Sequence, residues 1–275
     1  MIMKKYILIV LTAILALAAV SCKKTTEGVT EIVNFFQLNG GRSMFLGVGD
    51  EFVDPGYVEL ENGGKVEVSI TDMYGNPVDA VTTDLPGFFE IVYHTTNAQG
   101  VDLDVNRMVY VYDSSVSEKL GTFTVDCDKS FSYTFTEEGE PYMSYAEISE
   151  WYLTESTSSY APFSTTNYKI KFSQVAGNIY TCEDLLGGWY HYIQGRGLWA
   201  ADLTEDDAYL TYYDMAGYVV LNADMTLSIL SHSCDCWPTD TFEIFNSHYD
   251  KDAKRLVYDW VFAGSVAAHV EMVQE

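Results

Sequence analysis

Apolar and polar residues alternate in short runs from residue 31 onward, and turn residues interrupt the runs at intervals of roughly ten positions. Four such runs fill the first part of the chain, at residues 31–38, 65–71, 87–96 and 106–113. Asn-Gly-Gly turns follow the first run and precede the second. A period of two places alternate side chains on opposite faces of a strand. The pattern predicts a β-sandwich over residues 31–114.

A second series of strand-like runs begins after a short polar segment that ends at Glu118. These runs cover residues 120–126, 131–136, 168–174, 178–183, 217–221, 225–231, 241–245, 255–262 and 266–273. Turn residues predict two hairpins, one turning at Asn222 to Asp224 and one at Asp250 to Lys254. The segment "ISEWYLTES" predicts one helical turn. The fold class is therefore all-β, with a larger antiparallel sandwich or barrel-like domain over residues 117–275.

The first 21 residues have the features of a secretory signal. Lys4 and Lys5 precede a 15-residue apolar run from Tyr6 to Val20, and small residues follow it. A spanning helix needs about 20 apolar residues, so the run predicts a cleaved signal peptide rather than a membrane span. Its removal leaves 254 residues, which is enough for two domains.

Cys22 directly follows "AVS", and this arrangement resembles the lipobox of bacterial lipoproteins. The resemblance implies that Cys22 receives a lipid after cleavage and that residues 22–30 form a flexible tether. An ordinary signal peptide with a chance cysteine is the alternative. Lipidation predicts attachment to a membrane without crossing it, and we expect this to be the outer membrane. Lys23 and Lys24 occupy positions where surface-exported lipoproteins commonly carry acidic residues, so the surface and periplasmic faces both stay open.

The charge of the chain restricts its partners. The formal net charge is −25, and loss of the two signal-peptide lysines makes it −27. A protein this acidic repels phosphate backbones, so nucleic acid is excluded as a partner. An apolar fraction of 48% and an aromatic fraction of 15% predict well-filled cores rather than disorder.

Four cysteines besides Cys22 lie in the second part, namely Cys127, Cys182, Cys234 and Cys236. Export permits disulfides, but the sequence does not choose between the three pairings, and free buried thiols are equally compatible with it. The stretch "HSCDCW" lacks the cysteine spacing of a structural zinc site. We therefore predict neither a metal nor a cofactor.

Two resemblances extend this interpretation. The motifs "DPG" at 54–56, "PGFFEIVY" at 86–93 and "RMVYVYD" at 107–113 resemble bacterial immunoglobulin-like surface domains, which mostly act as spacers or adhesive modules. The stretch "YKIKFSQVAGNIYTCEDLLGGWY" resembles C-terminal domains of two-domain lipoproteins from gut Bacteroidota, often found alongside starch-utilisation-type importers and their lid lipoproteins. The second resemblance implies an accessory role at the cell surface and assigns no site residues.

The stretch "GGWYHYIQGRGLW" at 187–199 is the strongest candidate binding site. Along a strand, Trp189 and His191 would face one way, and Tyr190 and Tyr192 the other. Exposed rings can stack on sugars or peptide side chains, and a guanidinium can bind hydroxyl or carboxylate groups. The interpretation in which both faces are covered stays open. The candidate residues are Trp189, Tyr190, Tyr192, Arg196 and Trp199, with Trp237 as a weaker addition.

Catalytic motifs are missing from the sequence. No nucleophile elbow, phosphate loop or dinucleotide fingerprint occurs, and the acidic cluster "DLTEDD" at 202–207 is typical of a solvated turn. We therefore expect a binding protein rather than an enzyme, and a hydrolase that uses a pair of carboxylates is the last-ranked alternative. The favoured function is accessory binding of a nutrient, glycan ahead of peptide, for a TonB-dependent importer. The alternative is a structural subunit of the importer complex that binds protein.

Overall fold

A computed structural model describes most of the chain beyond residue 35. The described residues are 36–59, 65–96, 100–133, 142–154, 168–194, 214–234, 241–264 and 266–275. The predicted signal peptide, Cys22 and the tether lie outside these ranges. No helix within the described ranges is long and apolar enough to cross a membrane.

The first part of the described chain is a two-sheet β-sandwich. Its strands are β1 Phe36–Leu38, β2 Ser43–Gly47, β3 Tyr57–Glu59, β4 Glu67–Asp72, β5 Gly87–Thr96 and β6 Asp102–Tyr112. β1 pairs with β3, and the larger sheet has the order β2-β6-β5-β4, with β2 parallel to β6. The predicted long strands of this sandwich are confirmed. β2 and β3 were not predicted because they are short and carry exposed apolar residues such as Phe45 and Val58.

A buried arginine joins the "DPG" turn to this sandwich. Arg107 on β6 is fully buried, and its guanidinium forms an ion pair with Asp54 and donates to the Tyr93 hydroxyl oxygen at 2.9 Å. It also donates to the backbone carbonyls of Asn39 and Gly56. A buried charge is tolerated where a partner and hydrogen bonds compensate it, and here every branch of the guanidinium has an acceptor.

The second part is a strongly curled antiparallel sheet. Its strands are β7 Thr122–Val125, β8 Phe131–Ser132, β9 Lys169–Ala176, β10 Ile179–Cys182, β11 Ala216–Leu221, β12 Leu227–Ser233, β13 Phe242–Asp250, β14 Arg255–Phe262 and β15 Val266–Gln274. The order is β12-β11-β10-β9-β7-β15-β14-β13, with β8 beside β15. Both predicted hairpins are confirmed, because β11 pairs with β12 and β13 pairs with β14. The sheet curls until its two ends, β12 and β13, lie near each other, so the fold is all-β as predicted.

One helix, α1, covers Tyr145–Thr154 and is longer than the single turn predicted. A capping box explains its start. The backbone N–H of Ser144 donates to the Glu147 carboxylate at 2.7 Å, and the N–H of Glu147 donates to the Ser144 hydroxyl at 3.2 Å. The buried face of α1 then packs Tyr145 and Ile148 into the core of the curled sheet.

The two parts meet where β6 passes the β9–β10 turn. Gly177 has a left-handed φ of 47°, and a side chain there would overlap the Tyr112 ring, so only glycine allows this approach. The Asn178 side-chain oxygen accepts from the Asp113 N–H at 2.8 Å. Apolar side chains from both parts, including Tyr110 and Val220, form a shared buried cluster here. The two parts therefore share a packed joint, while the boundaries 31–114 and 117–275 stay a prediction.

We predict that Asp54→Ala lowers the free energy of unfolding of the sandwich by about 3 kcal/mol, because it leaves the buried Arg107 charge without its anion. The double variant Asp54→Ala/Arg107→Met removes that uncompensated charge and should recover much of the loss. Calorimetric unfolding of the full chain measures both. Asp79→Ala, which removes an exposed carboxylate of the same sandwich, is the control. Equal losses in the single and double variants would contradict the argument.

Candidate functional site

The stretch chosen from the sequence is not a strand. Gly187 and Gly188 have φ values of 68° and 78°, and Tyr190–Gln194 form a π-helical turn. Two successive left-handed residues end any extended run, so the predicted alternation of Trp189 to Tyr192 on two faces is wrong. A side chain at Gly188 would approach the Tyr168 ring to 2.6 Å, which explains the glycine at that position.

The segment from Asp184 to Tyr192 lies inside the curled sheet, and we call it the plug. The fully buried Asp184 carboxylate accepts from the N–H groups of Leu186 at 3.0 Å, Gly188 at 2.8 Å and Met215 at 3.1 Å. The Tyr258 hydroxyl donates to the Leu185 carbonyl at 3.1 Å. Buried backbone groups are costly without partners, and these bonds satisfy them.

The aromatic residues of the plug are mostly covered by protein. The Trp189 side chain is 3% exposed, and its indole N–H donates to the Ser132 hydroxyl at 3.2 Å. Tyr192 is fully buried beside Tyr145, at a ring separation of 5.3 Å. Tyr190 is half-buried. Trp189 and Tyr192 are therefore covered by protein, as one of the two interpretations of the sequence has it. Neither ring is accessible to a ligand in solution.

Three of the candidate residues, Arg196, Trp199 and Trp237, lie outside the described residues. Their part in ligand binding stays a prediction. The acidic cluster at 202–207 and Cys236 also lie outside those ranges.

Two residues of the plug, Asp184 and His191, belong to a titratable cluster. Burial, followed by the neighbouring Asp214, raises the pKa of Asp184 to about 6. His191 Nε2 lies 3.0 Å from Asp214 Oδ1, and the His191 ring stacks on Tyr168 at 3.9 Å. The Tyr168 hydroxyl also donates to Asp214, at 3.4 Å. These groups contact one another and the rest of the plug, so their arrangement stabilises the fold.

A second aromatic group, missed by the sequence analysis, lies on the outer face of the sheet. The Phe131 ring is parallel to Tyr142 at a centroid distance of 5.7 Å and to His269 at 4.8 Å. Tyr133 meets Tyr142 edge to face at 4.7 Å. Tyr142 is 49% exposed, and Phe131 and Tyr133 are half-buried. An exposed ring supported by other rings is a rigid apolar surface.

Polar groups border these rings at fixed positions. His269 Nδ1 lies 2.6 Å from Asp259 Oδ1, and the Asn246 side-chain amide donates to Asp259 Oδ2 at 2.7 Å. The Tyr133 hydroxyl donates to the same carboxylate at 3.4 Å, and burial together with Asp259 raises the pKa of Tyr133. We call Phe131, Tyr133, Tyr142, His269 and Asp259 the aromatic–carboxylate cluster. The alternation of buried and exposed residues along β15 could have predicted that His269 lies on the outer face. No signal in the sequence predicts that Tyr142 or Asp259 lies beside it.

A groove of about 640 Å³ separates β12 from β13 near the joint between the two parts. Two residues of the turn after β4, Met73 and Tyr74, contribute to its lining from the sandwich. The other lining residues belong to the two strands and are Ile229, Leu230, Ser231, His232, Phe242, Glu243 and Ile244. Burial lowers the pKa of His232, which favours a neutral ring in this lining. Ligand sites often lie at domain interfaces and have volumes in this range.

The cysteines and acidic residues form no metal site in the described ranges, where no group of three metal-ligating side chains is found. No disulfide joins Cys127, Cys182 and Cys234, the three cysteines that the structure describes. Burial raises the pKa of the Cys182 thiol well above its usual range, so this thiol is a packed core group.

Comparison with known proteins agrees with the two-part architecture. Residues 36–111 match the family described as bacterial surface protein, Ig-like domain. This segment is similar to bacterial surface Ig-like domains, and we call it the Ig-like domain. Residues 144–274 match a second family, described as a C-terminal domain. The resemblance of the sandwich to such surface domains is thereby confirmed.

The solved structures that are similar to the chain include the crystal structure of the lipoprotein BT2262 from Bacteroides thetaiotaomicron. The two are 24% identical over 87% of this chain and 98% of that chain, with a TM-score of 0.39. No curated protein matches the sequence.

We predict that Asp184 makes folding of the C-terminal domain depend on pH. Its folded-state pKa of about 6 lies above the unfolded value of about 4, so the folded state binds more protons between these values. The contribution of this group to stability is greatest below about pH 4 and falls, by on the order of 2 kcal/mol, as the pH rises to about 6. The stability of wild type relative to Asp184→Asn should fall over this window.

Urea unfolding followed by tryptophan fluorescence at a series of pH values measures this difference. Asp224→Asn is the control of opposite sign, because hydrogen bonds from Thr226 lower the pKa of the exposed Asp224. Its contribution is present above about pH 4 and is lost as the pH falls below that value. If the stability of wild type relative to Asp184→Asn increased from about pH 4 to about pH 6, the raised pKa of Asp184 would be contradicted.

Proposed function

We propose that this protein is a lipid-anchored outer-membrane lipoprotein that binds a nutrient glycan, and that the aromatic–carboxylate cluster is its binding surface. The Ig-like domain would hold the C-terminal domain away from the membrane. The proposal is one of binding without catalysis, because the sequence lacks the catalytic motifs of known enzyme classes.

The half-exposed Tyr142 ring supported by Phe131 is the observation that carries the proposal. Sugar rings present C–H groups that pack on flat aromatic faces, and their hydroxyls bind nearby acceptors and donors. Asp259 is buried and accepts from the Asn246 amide, so the exposed Asn246 side chain beside it would make the polar contacts with a sugar. Since the polar groups are already held by one another, little side-chain entropy is lost on binding.

The charge of the surroundings favours an uncharged glycan. Asp259 and Glu271 both lie beside His269, and the whole chain carries a net charge of −25. These negative charges would repel an anionic sugar, whereas a neutral sugar would not be repelled. Peptide is the second ligand class.

The partnership with a TonB-dependent importer and a lid lipoprotein rests on the sequence resemblance alone and stays a prediction. The second candidate function is a structural subunit that binds protein. One observation favours it, namely the open groove between β12 and β13.

We predict that Tyr142→Ala lowers affinity for a retained glycan by about tenfold, because it removes the exposed stacking face. A glycan array probed with the full chain identifies the ligand, and calorimetric titration then compares the variants. Phe45→Ala is the matched control. Like Tyr142, Phe45 is an exposed aromatic residue that stacks on another aromatic ring, here that of Tyr110, but it lies in the Ig-like domain. Equal loss in both variants, or no loss in Tyr142→Ala, would argue against this surface.

We predict that Cys22→Ser moves the protein from the membrane fraction to the soluble exported fraction. A lipid chain supplies the anchoring energy, and serine lacks the thiol that accepts it. Detergent phase partitioning with fatty-acid labelling checks this outcome, and Cys127→Ser is the control. Unchanged partitioning and labelling in Cys22→Ser would rule out lipidation at this cysteine.

A further inference from the structure

β2 is an edge strand of the larger sheet of the Ig-like domain. It pairs with β6 on one side, and the described residues place no strand on its other side. The Arg42 carbonyl accepts from the β6 backbone at 2.8 Å, and the Val48 N–H donates to it at 2.9 Å. Adjacent residues of a strand direct their backbone groups to opposite sides, so Ser43, Phe45 and Gly47 direct theirs away from β6.

The outward backbone groups of Ser43 and Phe45 have no partner among the described residues. The Gly47 N–H is different, because it donates to the Asp50 carboxylate at 2.7 Å. Unpaired groups along an edge strand are a template for pairing with another chain. Native proteins often protect such edges with lysine or proline, and β2, of sequence SMFLG, contains neither.

An exposed aromatic side chain lies beside this free edge. Phe45 is 53% exposed, and its ring stacks on that of Tyr110 at a centroid distance of 5.5 Å. Tyr110 belongs to the buried cluster at the joint between the two domains. Val48, just beyond the end of β2, is also exposed. The Phe45 ring therefore extends an existing apolar interface to the surface, where exposed apolar groups often mark a site for another protein.

Opposite charges lie at the two ends of β2. Arg42 precedes the strand, and Asp50, which caps Gly47, follows it. Both side chains are exposed. An antiparallel partner strand would run from the Asp50 end to the Arg42 end. A basic residue at its start and an acidic residue at its end match these charges.

We propose that the free edge of β2 binds an extended segment of a partner protein, which adds to the sheet as an antiparallel strand. The segment is apolar on the face beside Phe45, basic at its N-terminal end and acidic at its C-terminal end. Backbone hydrogen bonds to Ser43 and Phe45 provide affinity, and alternate side chains provide specificity. This site is separate from the proposed glycan surface and does not depend on it.

The test uses the full chain and a defined peptide. The probe is an acetylated and amidated heptapeptide that starts with lysine, ends with glutamate and has three valines alternating with two threonines between them. Calorimetric titration is expected to give a Kd of about 100 µM or tighter. Hydrogen exchange should show new protection of the Ser43 and Phe45 amides. Absence of binding at about 1 mM, or binding without this protection, would overturn the proposal.

Two N-methylated peptides test strand pairing. In the proposed register the valine amides face β2 and the threonine amides face solvent. Methylation of two valine amides removes donors to β2 and should weaken binding at least about tenfold, whereas methylation of two threonine amides should change it less than about twofold. Equal affinities of the two methylated peptides would show that strand pairing is not responsible.

A charge exchange locates the site. Arg42→Glu should weaken binding of the probe several-fold, and a peptide that ends with lysine instead of glutamate should bind this variant more tightly than the probe does. Lys65→Glu, which reverses an exposed charge just before the other edge strand, β4, should leave the affinity of the probe unchanged. Equal effects of the two reversals would indicate non-specific attraction and would overturn the assignment.

The variants of the glycan test separate the two proposals. Phe45→Ala should weaken peptide binding several-fold and leave glycan binding unchanged, and Tyr142→Ala should keep full peptide affinity. Failure of the glycan proposal would therefore leave the peptide result unchanged. Loss of peptide binding in Tyr142→Ala, or full peptide affinity in Phe45→Ala, would contradict the site at β2.

Discussion

The C-terminal domain depends on the Asp184 carboxylate. A curled sheet of this size has an interior that its own strands do not fill, and the plug occupies that interior with backbone as well as side chains. Backbone inside a core needs hydrogen-bond partners. Asp184 supplies three acceptor contacts for N–H groups, and Trp260 donates its indole N–H to the Leu186 carbonyl at 3.1 Å. With these bonds made, Trp189 and Tyr192 can pack inside. Burial of the carboxylate opposes its ionisation, which is why the pKa of Asp184 is raised.

The features that the sequence predicted correctly are local. The turn at Asn222 forms because the Asn222 N–H donates to the Thr226 carbonyl at 2.8 Å, a contact four residues away. The position of Trp189 depends instead on Ser132, 57 residues earlier in the chain. The aromatic–carboxylate cluster joins Tyr133 to Asp259 across 126 residues. Periodicity reports which residues share a face of one strand, and it carries no information on which distant strands meet.

The joint between the two domains determines what borders the groove. Tyr112 packs on Gly177, and the Asp113 N–H binds the Asn178 side chain, so the end of β6 is held against the β9–β10 turn. The Asn178 side chain also donates to the Leu221 carbonyl at 3.0 Å, which connects the same joint to β11. The turn with Tyr74 therefore lies beside the open edges of the C-terminal domain. The Ig-like domain thus contributes part of the groove lining.

One bulge connects the proposed glycan surface to the contact between the two end strands. Asn246 adopts a left-handed conformation that asparagine tolerates better than most residues, and its amide donates to Asp259 of the aromatic–carboxylate cluster. The next residue, Ser247, binds Leu227 and so joins β13 to β12. The backbone conformation at Asn246 therefore positions both the amide that holds Asp259 and the hydroxyl that holds the end of the sheet.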